Sequence, residues 1–276
     1  ITGQGATILS KAVRAEVTRA PFSLVVKNAQ GETLWQLAER GLTHDLLLQK
    51  ITPIPVLYTG NTMKMKWRAW SRPVTRVTDI RAEGHALVVA LGADVLRLTF
   101  HADDILRIEF RSASSVLRHT SIAFTSPEDA HYLGFGQRFN KVDQRAQEIY
   151  FFVEEGGVGY EWARTRLPWL YPFLRWLYGP RGSFPNREQC TGFPVPFGLI
   201  AREHGPTMGL FWNTYQPSWV KTADHRPQTA AVRGPLSAVN RLTVLDKTLV
   251  LDLCAGPTRL DAIRQYNSLT GCSDTP

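Results

Sequence analysis

"VLRLTFHADDILRIEFRS", residues 95–112, is the stretch that decides how this chain folds. In its second half Leu106, Ile108 and Phe110 alternate with Ile105, Arg107, Glu109 and Arg111. A side-chain period of two puts the first set on one face and the mostly charged set on the other, the pattern of a half-buried strand. Between it and the preceding run "DVLRLTF" sits Asp103-Asp104, which reads as a turn built on Asx chemistry between two strands.

The same reading extends both ways. Upstream, "FSLVVKNAQGETLWQLAE" (residues 22–39) holds two β-rich runs around Asn28-Ala29-Gln30-Gly31, a hairpin signal, and "HALVVAL" follows at residues 85–91. Downstream, "FPVPFGLIARE", "TMGLFWN", "SWVKTAD", "QTAAVRG" and "LTVLDKTLVLDLCAG" are short runs with turns between them. No alternation of strand and helix appears, so a parallel doubly wound fold is disfavoured. The expectation is a mostly β chain, an antiparallel sandwich of two sheets over residues 1–256. Two segments break the pattern. Residues 160–189 are irregular and rich in Trp, Tyr, Leu, Pro and Arg. Residues 257–276 open with Pro257 and read as a short helix and linker, with Leu260, Ile263 and Leu269 near one face and Arg259 and Arg264 towards solvent.

Composition narrows the function. The net charge of +8 comes from scattered residues, with no run of five Lys/Arg and no zinc-finger or RNP pattern, so nucleic acid is not the expected partner. The longest apolar stretch, "LPWLYPFLRWLYGP" (residues 167–180), is too short to span a bilayer and contains Arg175 and two internal prolines, so no membrane partner is expected either. Cys190, Cys254 and Cys272 form neither a disulfide framework nor a metal motif and lean towards a reducing, cytoplasmic compartment. The seven histidines are dispersed, without HExxH or HxH. No metal and no cofactor is expected: P-loop and GxGxxG are absent, and "GFGQRF" (residues 134–139) has Phe139 where a third glycine would stand. Its glycines read as a strand with close backbone approach or a bulge.

The chemical candidate is Glu154-Glu155. Glycoside hydrolysis needs two carboxylates facing each other, about 5–5.5 Å apart for retention or about 6.5–9.5 Å for inversion. Neighbours on a strand point to opposite faces, so the pair is a poor acid/base couple. Gly156-Gly157 fits a strand end feeding a loop, where one carboxylate could accept from a substrate hydroxyl; a solvated strand terminus is the competing reading. The aromatics from Trp162 to Tyr178 suit a sugar-stacking lid, an oligomer contact or a cover for a sheet edge, and Trp162 is the third candidate for substrate contact.

"YLGFGQRFNKVDQRAQEIYFFVEEGGVG" (residues 132–159) resembles the N-terminal signature of glycoside hydrolase family 31, the α-glucosidase and α-xylosidase family. "FPVPFGLIA" and "GPTMGLFWNT" follow in the family's order, and "GPTRLDAIRQYNSLTGCSDTP" is similar to its exit helix. The likeness covers residues 132–276. It implies a galactose mutarotase-like sandwich that packs on a (β/α)₈ barrel of the same protein. That barrel would hold both catalytic aspartates, so no catalytic residue is expected in this chain. The likeness also implies an α-linked oligosaccharide or glycoside as substrate, with Glu155 at the position of a loop aspartate that contacts it. Gln137 stands where the family usually has Glu, Ala146 where it often has Gly, and "EEGGVG" resembles a subset that includes the sulfoquinovosidases. An independent carbohydrate-binding module is the alternative. A mutarotase-like epimerase is ranked lowest, because the scattered histidines offer no partnered acid and base. If a barrel normally covers it, the C-terminal face should be apolar and favour a homo-oligomer.

Overall fold

The computed structural model describes residues 1–50, 66–113, 118–137, 141–151, 166–173, 193–224 and 238–271. The strands among them are β1 (Gly5–Leu9), β2 (Val13–Arg19), β3 (Phe22–Asn28), β4 (Thr33–Lys50), β5 (Lys66–Pro73), β6 (Asp79–Glu83), β7 (Ala86–Leu91), β8 (Asp94–Ala102) and β9 (Ile105–Arg111). The second half adds β10 (Arg118–Thr125), β11 (Ala130–Gly134), β12 (Glu148–Phe151), β13 (Phe197–Arg202), β14 (Thr207–Trp212), β15 (Ser218–Asp224), β16 (Val239–Val244) and β17 (Thr248–Gly256). One sheet runs β1-β2-β3-β4-β10-β16-β15-β12, with β5 also on β4; the other runs β11-β13-β14-β17-β9-β8-β7-β6. Neighbouring strands pair antiparallel throughout. This is the antiparallel sandwich that the period-two runs require.

The register of the opening stretch explains its pattern. Leu98 faces Ile108 and Leu96 faces Phe110 across β8 and β9, and all four side chains are buried between the sheets. The alternate set lies on the outer face. There Arg107 sits opposite Asp252 of β17 and binds it bidentately, Nε to Oδ1 and a terminal nitrogen to Oδ2 at 2.8 Å each. Asp252 is 0% exposed, so this pair is desolvated on its acidic side and each partner depends on the other.

The 18 residues of β4 are interrupted by a bulge. Pairing with β10 slips between Ile122 and Phe124, where Arg40 takes φ 55°. At Gly41 a Cβ would lie 2.4 Å from the Ala123 carbonyl oxygen, so only glycine allows this approach. The hairpin expected at residues 28–31 is present: Gly31 has φ 87°, and its N–H donates to the Asn28 carbonyl at 3.0 Å.

Helix α1 (Arg259–Thr270) starts at the Thr258 N-cap, whose hydroxyl accepts from the Asp261 N–H at 3.2 Å. It docks on the outer face of the second sheet with only Leu269 of the three residues expected to face it. Ala262 is buried against Phe197, Leu199, Phe211 and Cys254, with Tyr266 and Leu269 packed beside it. Tyr266 stacks on Phe197 at 4.2 Å, and Gln265 donates to the Asp104 carboxylate at 2.5 Å. Leu260 and Ile263 therefore point away, Leu260 at 55% exposure. The docked face is shifted from the apolar stripe because the sheet takes the side that carries the small Ala262 and the aromatic Tyr266, with Leu269 at its edge. No helix among the described residues is long and apolar enough to cross a membrane.

Candidate functional site

Glu154, Glu155 and Trp162 lie outside the described residues, as do Gly156-Gly157 and most of the aromatic segment. What the structure positions is the end of the sandwich from which the chain leaves β12 towards them. β12 pairs with β15, Phe151 opposite Ser218, so the last described residue before the candidate carboxylates is held in the first sheet. Phe151 meets Trp212 of the second sheet edge-on, ring centres 4.6 Å apart at 86°. Phe135 lies 6.2 Å from both rings, and the Trp212 indole donates across the sheets to the Ser218 hydroxyl at 3.1 Å.

The "GFG" element builds this corner. Gly134, Phe135 and Gly136 take φ of 94°, 67° and 81°, three successive residues in the left-handed region. This turns Phe135 inward at the end of β11. Its ring fills the space above Gly198, where a Cβ would come within 2.3 Å of it. The Phe135 N–H donates to the Phe197 carbonyl and the Gln137 N–H to the Phe193 carbonyl, both at 2.9 Å. "GFG" and "FPVPFG" are thus two halves of one packing unit, as the close-approach reading expects. Phe193 and Tyr215 stand exposed at the same end.

A cluster that sequence reasoning missed lies on the edge strand β11. His131 Nδ1 meets Asp143 Oδ2 at 2.9 Å and its Nε2 meets Glu203 Oε1 at 3.3 Å. Those bonds raise the imidazole's affinity for a proton, Asp143 more than Glu203. Asp143 is pushed up by partial burial, but the N–H groups of Tyr132 and Arg145 and the bond from His131 outweigh this and leave it below the usual carboxylate range. Nearby, Asp129 is pushed up by desolvation yet held low overall by Arg202 and the His204 N–H. The third ranked function required a partnered histidine, and here is one. Both its ring nitrogens are committed to carboxylates, however, and alternation with the core residue Tyr132 places it outside the sheet interface. It clamps the 141–145 loop to β11 and leaves no nitrogen to move a substrate proton. Its partners are 12 and 72 positions away, which no local pattern reveals.

Ala146 takes φ 59°, a conformation in which glycine is free of the steric cost that an L side chain meets. Cys254 is buried under α1, and burial, with the charges of Asp252 and Asp104, pushes its thiol up to about 12. Cys190 and Cys272 lie outside the described residues. Among the described residues no group of three His, Cys, Asp or Glu is placed to hold a metal ion.

No family model matches this sequence, and no curated protein does. Solved structures do. A family 31 sulfoquinovosidase from E. rectale, in complex with an aza-sugar inhibitor, matches with TM-score 0.64 at 9% identity over 96% of this chain and 34% of its own. A cycloalternan-degrading enzyme from Trueperella pyogenes (TM-score 0.37, 14% identity, 96% and 26% coverage) and a family 31 dextranase from Flavobacterium johnsoniae (0.39, 10%, 97% and 28%) are more distant. At those scores the last two add nothing to the fold. The chain spans about a third of the sulfoquinovosidase, and it has the fold of that part of a family 31 glycoside hydrolase.

Proposed function

We propose that this chain is the non-catalytic β-sandwich of a retaining family 31 α-glycosidase. In this reading residues 1–256 form the sandwich and residues 257–276 lead to a (β/α)₈ barrel of the same protein, which carries both catalytic aspartates. The substrate is an α-linked glycoside or oligosaccharide. The loop that leaves Phe151 brings Glu155 to it, with Glu154 and Trp162 alongside, and Glu155 accepts hydrogen bonds from sugar hydroxyls without taking part in bond cleavage.

One coincidence supports the reading. The motifs that resemble the family occur in its order, and Gly136, Gly198 and Gly256 within them fall where a Cβ would clash, in a sandwich that has the fold of part of a sulfoquinovosidase. The purified chain should not turn over 4-nitrophenyl α-glucoside, α-xyloside or α-sulfoquinovoside; turnover would overturn the proposal. In the full-length enzyme Glu155→Gln should raise KM about tenfold, the worth of one charge-assisted hydrogen bond, with kcat little changed. The second reading, a stand-alone carbohydrate-binding module, is favoured by Trp169, which is 74% exposed. Saturable quenching of tryptophan fluorescence by maltotriose in the isolated chain would support it over the first.

A further inference from the structure

The described part of the aromatic segment, "RLPWLYPF" at residues 166–173, holds a tryptophan out in water. The Leu170 and Tyr171 N–H groups both donate to the Leu167 carbonyl, at 2.9 and 3.1 Å. Pro168 therefore takes the second position of a tight turn, which suits its fixed φ, and Trp169 takes the third. Trp169 is 74% exposed, and Phe173, which follows Pro172, is 53% exposed. Leu167, Leu170 and Tyr171 are half-buried. Two large aromatics held out within five residues by a proline-fixed turn make apolar surface that a partner can cover.

Charge says what kind of partner. Residues 162–187 contain five arginines and no Asp or Glu, in a chain whose net charge is +8. Arg166 is exposed, and no carboxylate meets it among the described residues. The same 26 residues carry seven aromatics and four leucines, but only one side-chain amide, Asn186. Guanidinium and indole groups donate hydrogen bonds and accept none. Sugar hydroxyls need acceptors as well, which a carboxylate or an amide would supply and which are scarce here. The complement of donors beside bare apolar surface is a row of acceptors beside hydrocarbon, the phosphates and acyl chains of a bilayer.

We propose that this turn is a wedge that seats the chain on an anionic lipid surface. Trp169 and Phe173 enter at the level of the headgroups, and Arg166 meets lipid phosphate. The stretch is too short to cross a bilayer, but lying in its interface needs no spanning length. The Trp169 indole suits that depth, with an apolar body in the acyl boundary and an N–H left for a headgroup oxygen.

Vesicles of equal parts phosphatidylglycerol and phosphatidylcholine are the probe, with co-sedimentation of the chain as the readout. The chain should partition onto them, and about tenfold less onto pure phosphatidylcholine. Raising the salt from about 0.1 M to about 1 M shortens the Debye length from about 10 Å to about 3 Å and should weaken partitioning about tenfold. Trp169→Ala should weaken it about tenfold and Arg166→Gln about fivefold. Both positions are exposed, so folding is spared. The fluorescence difference between the wild type and Trp169→Ala should shift to the blue when anionic vesicles are added. Leu9→Ala trims an apolar side chain that is 71% exposed on β1, and it should partition like the wild type. The proposal is overturned if the chain stays in the supernatant with anionic vesicles or binds both vesicle types equally. It is equally overturned if Trp169→Ala or Arg166→Gln partitions like the wild type, or if Leu9→Ala loses as much as they do. Saturable quenching by maltotriose that Trp169→Ala removes would assign the turn to sugar and overturn it too. None of these readouts depends on glycosidase activity.

Discussion

Gly136→Ala tests the corner that roots the candidate loop. A Cβ at this position would lie 2.2 Å from the Phe193 carbonyl oxygen, 2.6 Å from the Val195 nitrogen and 3.0 Å from the Pro194 Cα. All three are backbone atoms, so no side-chain rotation relieves the contact and the two segments must part. Parting them sacrifices the hydrogen bonds from Phe135 N–H to Phe197 and from Gln137 N–H to Phe193, each worth about 1 kcal/mol. The left-handed φ of 81° adds about 1 kcal/mol for an L residue. Together they come to about 3 kcal/mol, or a fall of about 6–12 °C in Tm for a chain of this size. Gly84→Ala is the control. It shares a positive φ, 59°, but has nothing within 4 Å of the added methyl, so it should cost only about 1 kcal/mol. Urea unfolding followed by tryptophan fluorescence gives both values. If the two variants are equally destabilised, the tight seam between "GFG" and "FPVPF" is not what holds this end together.

Asp252→Ala should destabilise by about 3 kcal/mol, because it strands the half-buried Arg107 guanidinium; the double variant Arg107→Leu/Asp252→Leu should recover more than half of that loss, as measured by the same unfolding curves. His119 is buried, and this desolvation pushes its imidazole down to about 4, where it contacts Trp219 edge-on at 5.1 Å. Between pH 6.5 and about 4 the unfolded chain takes up a proton there that the folded chain refuses. Stability should therefore fall across that window, by up to about 3 kcal/mol, and stay level with respect to this group below it. His119→Phe should flatten that part of a stability-versus-pH curve; an unchanged slope would show that the imidazole takes up its proton alike in the folded and unfolded chains.

The sandwich was legible because its signal is local. Leu106, Ile108 and Phe110 declare one face by alternation, and Asn28 to Gly31 declare a turn by residue type. The bulge in β4 was not, since Arg40 and Gly41 take their conformation from the distant Ala123 carbonyl. The docked face of α1 was legible only in part for a related reason: of Leu260, Ile263 and Leu269 only Leu269 packs, and the partner sheet, shaped by Phe197 and Phe211, takes Ala262 and Tyr266 instead. Of the site, the role of the glycines was readable and the His131 clamp was not, because Glu203 approaches from another hairpin. Glu155 is read from motif order, Glu154 from the adjacent carboxylate pair and Trp162 from the aromatic run, and all three lie outside the described residues.

Cys254 gives the chain a clock for one of its own motions. The thiol is sealed between β17 and α1, and its reluctance to ionise makes it inert to disulfide reagents while the helix is seated. In a Cys190→Ser/Cys272→Ser background, labelling would proceed only during the intervals when α1 lifts from the sheet. The labelling rate divided by that of a free thiol then gives the equilibrium constant for this excursion, separately from global unfolding. A C-terminal segment that detaches far more readily than the sandwich unfolds would behave as a hinge, whereas one that opens only with the sandwich would transmit force directly into its second sheet.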